Sequence, residues 1–70
     1  QAGLMPHELL SEREQEVLMG LVRGQSVSDI ALLLEVSPNT VSTYRTRILM
    51  KMDMKNNADL ITYAISNGII

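Results

Sequence analysis

The 70-residue sequence predicts an all-α fold, a four-helix bundle whose second and third helices form a helix-turn-helix and whose fourth helix closes the C-terminus. Three observations predict it. The hydrophobic share is 46%, carried by Leu, Ile, Val, Met and Ala with Tyr44 and Tyr63 as the only aromatics, a palette that suits helix packed on helix better than a sheet. Apolar residues recur at three- and four-residue spacing along four stretches. Each stretch follows a Ser or Asn, whose side chain can satisfy the free amides of a first helical turn.

Ser11 with Glu14 forms a capping box: the hydroxyl accepts from the Glu14 amide while the carboxylate returns to the Ser11 amide. Val17, Leu18, Leu21 and Val22 then supply a buried stripe, and Gly24 is a left-handed stop, so the first helix runs from Glu12 to Arg23. Ser26 with Asp29 repeats the opening signal, and Val27, Ile30, Ala31 and Leu34 form the stripe of a short second helix. A turn of about three residues, Glu35 to Ser37, leads to a third helix from Pro38 to Met52, with Ser37 as cap and Pro38 where its missing amide costs nothing. A left-handed Glu35 would cost about 1 kcal/mol, which predicts a turn of another type. Asn56 or Asn57 caps a fourth helix with Leu60, Ile61, Ala64 and Ile65 turned inward, ended by Gly68.

Seventy residues make one small domain, with residues 10–70 as its body and residues 1–9 expected to be the remnant of a linker in a longer chain. No enzyme, no cofactor and no metal is expected. Cysteine is absent, and the dense carboxylates Glu12, Glu14 and Glu16 alternate along one helix and cannot converge on a substrate. The lone His7 reads as a solvated side chain. No apolar run is long enough for a bilayer and no signal-peptide pattern appears, so the expected location is the cytoplasm, with no membrane partner.

The net charge of −2 speaks against a phosphate-rich partner, but its distribution does not. Residues 1–35 set Arg13 and Arg23 against six carboxylates, a balance of −4, while residues 36–57 set Arg45, Arg47, Lys51 and Lys55 against Asp53, a balance of +3. The cations lie on the third helix and the loop after it. At 100° per residue, Val41, Ile48 and Met52 share the inner face of that helix, with Tyr44 and Leu49 on its flanks. The opposite face collects Asn39, Ser42, Thr43, Thr46, Met50 and Asp53, with Arg47 and Lys51 along one shoulder. A polar strip edged by cations suits a DNA groove, where small side chains meet base edges and longer basic ones reach the phosphate walls. Arg45 falls beside the inner stripe, and its guanidinium is expected to pair with Glu14 or Glu16. Leu32 and Leu33 are expected either to thicken the core against the linker or to leave one side chain exposed.

Leu10-Ser11-Glu12-Arg13-Glu14, Val17-Leu18, Gly24, Ile30-Ala31, Leu34, Val36-Ser37, Thr40-Val41, Ile48 and Lys51-Met52 together resemble the LuxR-type helix-turn-helix domain, the DNA-binding output domain of NarL/FixJ-class response regulators and of quorum-sensing activators. Ser37-Pro38-Asn39-Thr40-Val41-Ser42-Thr43-Tyr44 is similar to the response-regulator branch. The resemblance implies sequence-specific binding of double-stranded DNA at two half-sites, with the third helix in the major groove, and a receiver domain upstream. It assigns base reading to Ser42, Thr43 and Thr46 and phosphate contact to Ser28, Asn39, Thr40, Arg47, Lys51 and Lys55. It assigns a homodimer interface to Ala58 and Thr62 on the fourth helix, and RNA polymerase enters as a further partner. The family usually carries Lys or Arg where Ser42 stands, so thymine methyl contacts from Thr43 or Thr46 and DNA shape become the expected sources of specificity.

Two other readings compete. The promoter-reading region of a sigma factor shares several of these positions but tends to end in basic residues soon after the recognition helix, unlike the apolar fourth helix here. A protein-interaction module would keep the fold and use exposed Leu33 or Met50 as anchors, with the acidic total charge in its favour.

Overall fold

A computed structural model describes residues 6–70. A 3-10 turn, Pro6–Leu9, precedes four helices: α1 Glu12–Val22, α2 Val27–Leu34, α3 Pro38–Lys51 and α4 Asn57–Ser66. Helix α3 packs against both α1 and α2, and α4 lies against α1.

The capping residues act as their spacing predicts. Ser11 Oγ accepts from the Glu14 amide at 3.2 Å and Glu14 Oε1 accepts from the Ser11 amide at 2.8 Å. The Ser26 and Asp29 pair repeats the arrangement at 3.0 and 3.3 Å. Ser37 caps α3 with Pro38 in its first turn, and Asn56 caps α4. Gly24 and Gly68 take φ of +88° and +68° just beyond α1 and α4. Where two caps stand close in sequence, as at Ser26 and Ser37, α2 is held to eight residues.

The core is formed by Leu10, Val17, Leu18, Leu21, Val22, Ile30, Ala31, Val41, Ile48, Met52, Leu60 and Ala64. Gly20 sets the spacing of α1 and α2, because a Cβ there would lie 2.7 Å from Ile30 Cγ1 and 2.9 Å from Gln25 Oε1.

Four expectations are corrected. Glu35 does adopt the left-handed conformation, φ 59° and ψ 43°, so the turn between α2 and α3 is of the type that glycine usually occupies. Its cost of about 1 kcal/mol is offset because the turn brings the Val36 amide to 3.0 Å from the Ala31 carbonyl and places half-buried Val36 on the core. Ile65 is 63% exposed, since it stands about 140° around α4 from Leu60, which faces the core. Leu32 and Leu33 are both exposed, at 79% and 66%, and thicken no core. His7 is half-buried: its Nδ1 lies 2.7 Å from the Tyr63 hydroxyl and the two rings meet edge to face. The last residues of the expected linker thus rest on α4, while residues 1–5 lie outside the described residues.

Candidate nucleic-acid interface

Helix α3 is divided by its two faces. Val41 and Ile48 are fully buried and Met52 is 4% exposed, while Tyr44 and Leu49 are half-buried on the flanks. Asn39, Ser42, Thr43, Thr46, Arg47 and Met50 are exposed on the other side, and Thr40 is half-buried where Ser37 Oγ and Thr40 Oγ1 meet at 2.9 Å. Base-reading candidates Ser42, Thr43 and Thr46 therefore share one open strip with Asn39 and Arg47. Ser28 is exposed on α2, and Lys55 is exposed in the loop before α4. The N-terminus of α3 adds backbone amides and a partial positive charge at one end of the strip.

Two of the cations have partners that the sequence does not predict. Arg45 Nε donates to Asn57 Oδ1 at 2.8 Å, and neither Glu14 nor Glu16 receives it. Lys51 Nζ instead donates to Glu14 Oε1 at 2.8 Å. The reason is angular: Arg45 leaves the buried stripe about 40° to the side of α4, whereas Lys51 leaves it about 80° to the other side, where the start of α1 lies. Glu16 pairs with Arg13 at 3.5 Å within α1.

Glu14 is 2% exposed and is the one buried charged side chain among the described residues. Burial pushes its carboxyl up, but the hydrogen bonds from Lys51, the Ser11 amide and the Ser11 hydroxyl, together with the Lys51 charge, outweigh this and hold it below the ordinary glutamate range. This pair changes the electrostatics of the strip. The Lys51 charge is largely matched by Glu14, with two of the three ammonium protons left for another acceptor. Arg47, held 6.0 Å above the Tyr44 ring, is the exposed cation closest in sequence to the reading residues. Ala58 and Thr62 are exposed one turn apart on α4, and Ile65 continues the same outward face.

Sequence reasoning missed Gly20, Asn57 and the second role of Glu14. Gly20 carries a visible signal, a glycine in the middle of a helical pattern, which implies close packing. The Asn57 and Glu14 contacts join different helices and have no local signal.

The profile of "Bacterial regulatory proteins, luxR family" matches residues 8–64. The chain is 36% identical over 64 residues to the response regulator UvrY of Escherichia coli, an overlap of 91% of this chain and 29% of that protein. It is 37% identical over 65 residues to the oxygen regulatory protein NreC of Staphylococcus haemolyticus, covering 93% and 30% of the two. It is 37% identical over all 70 residues to the response regulator GacA of Pseudomonas viridiflava, covering 33% of that protein. Among solved structures, full-length FixJ from B. japonicum superposes with a TM-score of 0.85 and 32% identity, over 93% of this chain and 32% of that one. The chain thus spans about a third of the length of these relatives. A profile match that takes in α1, α2, α3 and most of α4 places the chain in the luxR family of bacterial regulatory proteins, as its DNA-binding helix-turn-helix domain.

Proposed function

We propose that this domain is the output module of a bacterial response regulator and binds specific sites in double-stranded DNA by laying α3 in the major groove. The observation that carries the reading is the open strip Asn39, Ser42, Thr43, Thr46 on a helix whose inner side is fixed by buried Val41 and Ile48. In this reading Ser42, Thr43 and Thr46 meet base edges, while Asn39, Thr40, Arg47, Lys55 and, from α2, Ser28 meet phosphates. Lys51 contributes with the protons that Glu14 does not take. A duplex ligand places the domain in the cytoplasm, and the domain performs no catalysis.

Two copies join through Ala58 and Thr62, with exposed Ile65 extending the patch, and so bind two half-sites related by a two-fold axis. A receiver domain upstream supplies the control, and RNA polymerase is the machinery that the bound regulator addresses.

A mobility-shift titration of the chain on random 30-base-pair duplex, in low and then moderate salt, tests the reading. Retardation that weakens steeply with salt is expected, because phosphate contact releases counterions. Absence of binding at the lowest salt contradicts it. A protein-docking role has its own support in exposed Leu32 and Leu33, and it predicts partner binding that is indifferent to Arg47→Ala.

A further inference from the structure

The two threonines at the centre of the strip have already used their hydroxyl protons. Thr43 Oγ1 donates to the Asn39 carbonyl and Thr46 Oγ1 to the Ser42 carbonyl, each at 3.1 Å. A hydroxyl spent in this way keeps only lone pairs for a ligand, and its χ1 is fixed, so each exposed side chain presents a methyl group and an acceptor.

Met50 continues this pattern. It is 76% exposed and lies about 180° around α3 from Val41, at an angle between those of Thr43 and Thr46. From Thr43 to Met50 the helix advances about 10 Å, the length of roughly three base-pair steps. Asp53, two residues past the end of α3, is exposed and left-handed with φ 55°. An exposed Met alone is unremarkable on a protein surface; three terminal methyl groups in one line, on the helix that faces DNA, are a chemical pattern.

We propose that Met50 is a further base-reading residue, and that the outward face of α3 selects A·T pairs by packing the methyl groups of Thr43, Thr46 and Met50 against thymine 5-methyl groups in the major groove. This rests on the DNA-binding reading above. The thymine methyl is the apolar feature of the major groove, and the flexible thioether of Met adapts its shape to it. The threonine oxygens, as acceptors, suit the adenine N6 amino group of the same pair. Guanine presents two acceptors there, for which neither threonine has a proton left, and cytosine offers an amino donor but no methyl group, so the methyl contacts decide the choice.

The test uses this 70-residue chain and a duplex pool with a random 20-base-pair core. After enrichment at low salt, the dominant sequence is synthesised with thymidine and with deoxyuridine in its core, and affinity is read by fluorescence anisotropy. Adjacent A·T pairs should be enriched. Loss of each contacted methyl should weaken binding about fourfold, so the deoxyuridine duplex should bind tenfold or more weaker. Met50→Ala should bind the thymidine duplex about fourfold weaker and show a smaller preference for thymidine over deoxyuridine, with its thermal melting unchanged because the side chain is exposed. Equal binding of the two duplexes by the unaltered chain, within twofold, overturns the inference, as does an unchanged preference in Met50→Ala. Both of those results leave salt-dependent DNA binding in place. Complete absence of duplex binding refutes the DNA reading and this inference with it.

Discussion

The inner and outer faces of α3 are made by one stretch of fourteen residues under opposite constraints. On the inside, Val41 and Ile48 are fully buried, and any change of volume is felt across α1, α2 and α3 at once. On the outside, Thr43, Thr46 and Met50 touch nothing that folding requires, apart from the helix to which the threonine hydroxyls are bonded. Folding energy therefore decides one face and leaves the other open to selection by a ligand. The comparison also explains how an acidic domain can serve a polyanion. Six carboxylates stand in residues 1–35, one of them, Glu14, buried, while Arg45, Arg47, Lys51 and Lys55 stand on α3 and the loop after it.

Truncations should separate the faces most sharply. Ile48→Ala is expected to cost about 3 kcal/mol in urea unfolding, through lost transfer energy and the cavity left behind, whereas Thr43→Ala should stay within about 0.5 kcal/mol. Equal effects would mean that the faces are not distinct. Next in size is the link between α1 and the end of α3. Glu14→Gln removes a buried charge from a Lys51 that is itself 44% exposed, so the cost at neutral pH should be about 2 kcal/mol, below that of a fully buried pair. Because the Glu14 pKa is lowered on folding, its contribution is complete above the ordinary unfolded value and is lost as pH falls through the folded value. The gap between the two proteins should therefore close in acid, and a gap that is constant down to pH 2 would count against the pair. Smallest in stability, but largest for binding, is Arg47→Ala: thermal melting should be unchanged, while affinity for all duplexes falls and the slope of log affinity against log salt is reduced by about one. A loss confined to one DNA sequence would instead make Arg47 a base reader.

The elements were legible in the sequence because their signals are local. Ser11 with Glu14, Ser26 with Asp29, and Ser37 before Pro38 each span at most four residues and act within that span. The two faces of α3 were legible for the same reason, since helical periodicity alone places Val41 and Thr43 on opposite sides. Contacts between helices were not. Glu14 and Lys51 are 37 positions apart, and which cation reaches the carboxylate depends on the packing angle of α3, which periodicity does not contain. The Glu35 conformation is not legible in the sequence, because its local cost is visible there while the hydrogen bond and packing gained at Val36 are not. Ile65 is apolar, which points inward by composition, yet its helical angle puts it on the side of α4 away from Leu60, where it is exposed.

The claim that the outward strip of α3 is what meets DNA can be measured directly by adding a random 30-base-pair duplex to isotopically labelled protein at low salt and following the backbone amide resonances. The account predicts that the largest shifts cluster from Ser37 to Lys51, with smaller ones at Ser28 and Lys55, and that the amides of α1 stay nearly still. Shifts centred on α1, or on Leu32 and Leu33 with the α3 strip unmoved, would contradict it.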